Sequence, residues 1–338
     1  MSQGIFVKDK SVSSGDLILP WLFGLIGISI TFGAQFLAVF GLYFTGFDYL
    51  TYEGTYLLAY GVIAFLILPW FIKATAKCYS DKKSGLQFKV PKANEVLIVC
   101  AFAFGLLGIV SMYMLLVTFL SEHMNTVKDE LEVYSETIDR FTEVTPEEVP
   151  VFDQILDYIA SVLVIPVVEE LVFRGVILGQ FRKAYSGWFS IAISAVVFGL
   201  VHGISVHIGY AILCGILLGL VYYLTSNLVL TIIIHVIFNF FGGALPVIFD
   251  SGLTPVPAET ANRISGFISV FSLYMVPAVV FVLAIFFLRY KNAKKKDQVI
   301  TKESVSDGTR TANVGDFAAS KDNDDNDGEN NSITFVIK

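Results

Sequence analysis

Two carboxylates, a guanidinium, two imidazoles and an amide interrupt otherwise apolar runs in this sequence. They lie in three short strings: Glu-Glu-Leu-Val-Phe-Arg at 169–174, Phe-Gly-Leu-Val-His at 198–202 and His-Val-Ile-Phe-Asn at 235–239. Transferring an ionisable group into hydrocarbon costs several kcal/mol, so such groups are kept mostly where they are used. The three strings are therefore predicted to form one reaction site.

The two adjacent glutamates of the first string are predicted to have different roles. On a helix their side chains point about 100° apart, so both cannot face the same atom. Glu170 and Arg174 are four residues apart, with the acid before the base, which favours an ion pair on one helix face. We interpret this pair as a buried bridge that supports the site. Glu169 is then the carboxylate left for chemistry, and its low-dielectric surroundings suit a general base.

The second and third strings supply the imidazoles and the amide. A lone imidazole in a helix bundle is usually a packing group, but His202 and His235 are predicted at the same membrane depth as Glu169, which favours a functional role. His235 and Asn239 are four residues apart, so both can face one cavity, and their N–H groups could stabilise an oxyanion. Phe198 is predicted to pack against His202.

Composition indicates the solvent that these elements occupy. The chain of 338 residues is 55% hydrophobic and 16% charged, with a mean hydropathy of +0.68, which is not the composition of a water-soluble domain. The predicted fold class is all-α: a polytopic membrane helix bundle of about eight transmembrane helices. Apolar runs of about 20 residues, the length that spans a bilayer, lie at 17–43, 55–72, 95–120, 154–179, 187–206, 208–225, 228–249 and 266–288.

Lysine and arginine in the loops predict the orientation of the bundle. Residues 73–92, 182–183 and 289–296 are rich in Lys and Arg, so these segments are predicted to be cytoplasmic. The segment 121–150 is rich in Asp and Glu and is predicted to lie outside. The N and C termini are both expected to be cytoplasmic.

The sequence divides into a membrane domain and a tail. From about residue 297 the composition changes to Asp, Asn, Ser, Thr and Lys, which cannot bury enough apolar surface to offset chain entropy. We predict a transmembrane domain over 1–290, with its motif core at 150–245, and a disordered cytoplasmic tail over 291–338.

In this order, and on apolar helices, the patterns EExxxR, FxxxH and HxxxN resemble the CPBP family of intramembrane proteases. That family includes the CAAX prenyl endopeptidases and the bacterial bacteriocin-processing and self-immunity proteins. The resemblance covers about residues 150–245, and no motif position departs from the family pattern. It implies an eight-helix fold in a bacterial-type plasma membrane and hydrolysis of a peptide bond, with the active site opening toward the cytosol.

The resemblance also implies a role for each motif residue. Glu169 corresponds to the glutamate that activates water, and His202 to its partner in that step. His235 and Asn239 correspond to the residues that stabilise the oxyanion. The supporting positions are Glu170, Arg174 and Phe198.

The sequence leaves the need for a metal open. Glu169, His202 and His235 would supply three ligands to a divalent metal, with zinc the best match, and leave a fourth position for water. The chain has no HExxH motif, and the family's alternative mechanism has Glu169 and His202 activate water with no metal. We favour that alternative, because it gives His235 and Asn239 a purpose.

Two other functions also fit these residues. A bacteriocin self-immunity or peptide-export accessory protein is the alternative within the family. A proton-coupled transporter with a Glu–His relay is the alternative outside it, disfavoured because no duplicated halves are visible. The expected partners are a peptide or lipid-modified protein substrate and membrane lipids, with no nucleic acid.

Overall fold

The all-α prediction is confirmed by the structure, a computed structural model. It describes residues 14–49, 51–76, 78, 88–142, 149–203, 205–251, 253–306 and 334–335. Within these residues the chain forms nine helices. The first four are α1 (Ser14–Thr45), α2 (Glu53–Ala76), α3 (Ala93–Ser121) and α4 (Asn125–Thr142). The others are α5 (151–184), α6 (Gly187–Leu200), α7 (Ser205–Thr225), α8 (Leu228–Asp250) and α9 (Ala258–Ser306).

Six of these helices are long and apolar enough to cross a membrane, namely α1, α2, α3, α7, α8 and α9. They correspond to six of the eight predicted spans, and the chain is an integral membrane protein. The predicted span 154–179 lies in α5, whose α-helical bonding is interrupted by two π-helical segments. The count of eight, like the cytoplasmic termini, stays a prediction.

The predicted span 187–206 is wrong at its C-terminal end. Helix α6 has 14 residues and ends at Leu200, so it is about 21 Å long, shorter than the hydrocarbon core of about 30 Å. Gly203 follows with a φ of +76°, a left-handed conformation that ends helices and favours glycine. His202 therefore lies in the turn after the helix rather than inside it.

The predicted boundary at residue 290 lies inside α9, which continues to Ser306. Residues 291–306 are thus helical rather than disordered. The strand β2 (Thr334–Phe335) pairs antiparallel with β1 (Phe88–Lys89). Residues 307–333 and 336–338, the remainder of the predicted tail, lie outside the described residues.

Helix α5 lies at the centre of the bundle. It contacts α1, α2, α6, α7 and α8, and every residue from Leu171 to Leu178 is buried. Two π-helical segments interrupt its α-helical bonding, at Ala160–Val164 and Leu171–Leu178. Such wider turns are rare and occur frequently at functional sites. The Glu169–Glu170 pair lies between them.

Charge distinguishes the two ends of the bundle. At one end the Trp21 indole N–H donates to the Tyr185 hydroxyl at 2.9 Å, and Arg289 pairs with Glu95 at 3.3 Å. We call this the basic end; it carries Lys73, Lys89, Lys92, Arg182, Lys183, Arg289, Lys291 and Lys294–Lys296. The opposite, acidic end carries Asp48, Glu53, Glu122, Asp129, Glu130, Glu132, Glu136, Asp153, Asp250 and Glu259.

Helix α4 lies within the predicted acidic segment 121–150. Val127, Leu131 and Tyr134 recur at i, i+4 and i+7 and are partly buried, whereas most of its charged residues are exposed. This spacing gives one apolar face, and α4 contacts α3 and α7. The helix therefore lies across the acidic end of the bundle.

Candidate active site

The two adjacent glutamates of α5 have different surroundings. The Glu170 side chain has 0% exposure, whereas that of Glu169 is 22% exposed and lines a cavity. The helix turns them apart, as their adjacent positions require. One carboxylate is thus sealed in the protein, and the other reaches the space where a substrate could bind.

Glu170 lies between a guanidinium and an imidazole. Its Oε1 accepts from Arg174 Nη1 at 2.8 Å and lies 3.0 Å from His235 Nδ1. The Arg174 side chain is also fully buried, donates to the Gly215 carbonyl at 3.4 Å and lies over the Phe198 ring at 5.0 Å. The predicted Glu170–Arg174 bridge is present, and it extends to His235.

His235 contacts both glutamates through its two ring nitrogens. An ionised carboxylate can only accept hydrogen bonds, so Nδ1 carries a proton that it donates to Glu170. The other nitrogen, Nε2, lies 3.4 Å from Glu169 Oε2. A proton on this nitrogen or on Glu169 can be exchanged between them. We call Arg174, Glu170, His235 and Glu169 the charge chain.

His202 is held by the backbone of the helix that precedes it. Its Nδ1 lies 2.6 Å from the Phe198 carbonyl oxygen. Because a carbonyl oxygen only accepts, Nδ1 carries the proton and Nε2 keeps its lone pair when the ring is neutral. His202 lines the same cavity as Glu169, so a basic nitrogen is available there.

Asn239 lies one helical turn after His235 and lines the same cavity. Its Nδ2 donates to the Ser161 carbonyl at 3.1 Å, across to the first π-helical segment of α5. The third π-helical segment, Phe240–Ala244, begins directly after it. This bond fixes the orientation of the amide, which carries a second N–H group.

The cavity has a volume of about 1010 Å³. Glu169, His202, His235 and Asn239 all contribute to its wall. The remaining lining residues are mostly apolar or aromatic and come from α3, α5, α7, α8 and α9, with Tyr134 from α4 and Phe198 from α6. The sequence predicted convergence of the three strings, and the structure brings them to one cavity.

Phe198 packs at the centre of the site. Its ring contacts those of Phe173, His202 and His235 at centroid distances of 4.8, 4.6 and 6.0 Å, in addition to the Arg174 guanidinium. The sequence predicted its packing against His202. Its contacts with the other elements follow from how α5, α6 and α8 pack together.

Two ionisable residues outside the three strings also line the cavity. They are His207, near the start of α7, and Asp157 of α5. The His207 ring lies 4.7 Å from that of His202 and 4.6 Å from that of Tyr210. The signal for His207 is Gly203, because a turn at this glycine brings the start of α7 back toward His202.

The predicted metal ligands do not form a ligand set in this arrangement. Among the described residues, no three His, Cys, Asp or Glu side chains stand close enough together to hold a metal ion. His202 lies in a turn, with its Nδ1 on a backbone carbonyl, and His235 has a carboxylate at each nitrogen. The side chains as placed therefore do not fit a three-ligand zinc site, so we derive the chemistry below without one.

Comparison with known proteins bears on the same segment. Residues 151–241 match the sequence model of a family described as type II CAAX prenyl endopeptidase, Rce1-like. This segment is similar to that family, and we call it the Rce1-like segment. The predicted resemblance to CPBP intramembrane proteases is thereby confirmed for the segment that carries the three strings. Searches of curated proteins and of solved structures each gave no match.

The Rce1-like segment begins at the start of α5 and ends two residues after Asn239. It therefore includes the charge chain and His202, while α1 to α4 and α9 lie outside it. At the level of the family the match supports an intramembrane endopeptidase. It does not favour the immunity or transporter alternatives.

Proposed function

We propose that this protein is an intramembrane endopeptidase of the CAAX type in a bacterial-type plasma membrane, which hydrolyses a peptide bond of a peptide or lipid-modified protein. One observation supports this most directly. Glu169, His202, His235 and Asn239 line one cavity, while the ion pair that orients His235 is buried behind it. This division into a reactive wall and a sealed support is what catalysis by positioned groups requires.

In the proposed mechanism, Glu169 is the general base. It accepts a proton from a water molecule, with His202 Nε2 as the second acceptor that orients this water. The water oxygen attacks the peptide carbonyl carbon, and the carbonyl oxygen becomes an oxyanion. When the tetrahedral intermediate collapses, the C–N bond breaks and Glu169 returns its proton to the leaving nitrogen.

His235 and Asn239 stabilise the oxyanion in this scheme. The second N–H of the Asn239 amide and the Nε2–H of protonated His235 are the donors. Glu170 orients the imidazole for this role, because its carboxylate accepts from His235 Nδ1 at 3.0 Å. Glu170 and Arg174 thus act as positioning residues, without touching the substrate.

The experiment that tests this proposal measures cleavage of a fluorogenic, prenylated CAAX-type peptide by the purified protein in proteoliposomes. Loss of a general acid or base costs about 10²–10⁴ in rate, so Glu169→Gln and His202→Ala are each expected to fall in this range. Two variants are matched controls: Glu259→Gln, whose side chain is exposed at the start of α9, and His123→Ala, exposed between α3 and α4. They should keep the parental rate.

Two results would contradict the proposal. One is a Glu169→Gln variant that cleaves at the parental rate. The other is a parental protein that does not cleave this peptide and also leaves the peptides of its host cells unchanged. The second comparison is made by mass spectrometry between cells carrying the parental protein and cells carrying Glu169→Gln.

A further inference from the structure

The cavity lies asymmetrically between the two ends of the bundle. Thr118 near the end of α3, Tyr134 of α4, His207 near the start of α7 and Val247 near the end of α8 are among its lining residues. Each of these positions is close to the acidic end. Glu169 and His235 are the lining residues farthest from the acidic end on α5 and α8, so the cavity runs from the middle of the bundle toward that end.

On the other side of the catalytic residues the bundle is closed. Leu178 and Phe181 of α5, Val221 of α7 and Leu228 and Leu230 of α8 are all at most 2% exposed. These side chains fill the space between the charge chain and the basic end. Water or peptide from that end would have to pass through a packed apolar layer, which is unfavourable for both.

The basic end has the features of a cytoplasmic membrane surface. Its loops hold Lys and Arg, whereas the acidic end holds few, and this bias sets orientation in membranes. The three tryptophans of the chain, Trp21, Trp70 and Trp188, lie near this end and are 49%, 69% and 73% exposed. Indole rings favour the lipid–water boundary, so these residues indicate where the cytoplasmic boundary lies.

At the acidic end, α4 lies against the cavity. Tyr134 from its apolar face belongs to the cavity wall, and Glu130 accepts a hydrogen bond from Ser205 at the start of α7. The exposed face of α4 is predominantly acidic. A substrate that enters from this end must therefore pass beside or beneath α4.

From the asymmetry of the cavity and the charge of the two ends, we propose that substrate enters from the extracytoplasmic side, beneath α4. Its class is then an exported peptide or the outward-facing segment of a membrane protein. This inference rests on the proposed function for its substrate, and it differs from the cytosolic opening that the family resemblance implies. The position of the opening can be tested without any cleavage.

The test uses single cysteines and a membrane-impermeant maleimide on intact cells. In a variant that lacks Cys78, Cys100 and Cys214, the single substitution Ser161→Cys places a thiol in the cavity wall. The labelling of this thiol measures from which side the cavity is accessible. The control is a chain that keeps only native Cys78, which is exposed at the basic end. We expect Ser161→Cys to react equally before and after permeabilisation, and Cys78 only after it.

Labelling of Ser161→Cys only after permeabilisation would overturn the inference, as would no labelling in either state. Thr118→Cys, an exposed lining residue near the mouth, is the second variant in case Ser161→Cys does not fold. A separate arm adds an impermeant substrate peptide to intact cells, where cleavage is expected without lysis. If the peptide is cleaved on neither side, the proposed function fails while the labelling still reports the opening.

Discussion

Removing the charge of Glu170 is expected to destabilise the protein strongly. Glu170→Gln keeps the shape of the side chain but leaves the Arg174 guanidinium, which has 0% exposure, without its counter-charge at 2.8 Å. Loss of one partner of a buried ion pair costs about 3–5 kcal/mol. Arg174→Met should cost a similar amount, toward the lower end, because His235 Nδ1–H still donates to Glu170. The measurement is unfolding by SDS titration in mixed micelles.

The double variant Glu170→Met/Arg174→Met separates charge from packing. Replacing both partners by apolar side chains is often near neutral, so the expected loss is that of the His235 hydrogen bond, about 1–3 kcal/mol. The two single losses should therefore exceed the loss of the double variant by several kcal/mol. Peptide cleavage should nevertheless be lost in the double variant, because no carboxylate is left to accept the hydrogen bond from His235 Nδ1.

The chain offers a matched control for this cycle. Glu259 and Arg263 have the same residue types, order and spacing, and lie 2.6 Å apart, but their side chains are 78% and 77% exposed. Breaking an exposed pair typically costs at most about 1 kcal/mol. If the buried pair behaves like this one, with small and additive losses, then burial of Glu170 and Arg174 does not stabilise or orient the site as we argue.

Three further predictions concern packing, capping and cofactor. Gly108→Ala should lower the free energy of unfolding by about 1–3 kcal/mol, because the new Cβ would overlap the Ser272 carbonyl of α9. The control Gly33→Ala should be neutral, because no neighbouring atom lies within contact range of its Cβ. Equal effects of the two substitutions would contradict this. Asp153→Ala should cost about 2–3 kcal/mol, because the carboxylate accepts from the backbone N–H of Gly54 at 2.8 Å at the start of α2, and an unchanged SDS midpoint would refute it. Dialysis against a chelator should leave peptide cleavage unchanged, and a loss that zinc restores would reverse our preference for a metal-free reaction.

The parts of the site that the sequence predicted are those that depend on local spacing. A helix fixes what residues four apart can do, so the Glu170–Arg174 contact and the shared face of His235 and Asn239 follow from i and i+4 positions. The different surroundings of Glu169 and Glu170 follow from the 100° turn between neighbours. Each of these inferences needs only one helix.

The parts that were missed depend on packing between distant segments. Glu170 and His235 are 65 positions apart, and their hydrogen bond exists because α8 packs against α5. The end of α6 was missed for another reason, because apolar residues continue to Val206 although Gly203 already turns the chain. Hydropathy measures the environment of a segment and is insensitive to the φ angle of one residue.

The cost of burying Arg174 gives the charge chain its physical meaning. An isolated Glu170 next to His235 would be a buried anion, and the desolvation would favour its neutral form. Arg174, which stays charged in proteins, keeps Glu170 ionised and able to accept from His235 Nδ1. That hydrogen bond points Nε2 toward Glu169 and the cavity. The guanidinium thus controls which atom of His235 meets the substrate, although it is itself sealed from the cavity, and an apolar replacement could restore stability without restoring this orientation.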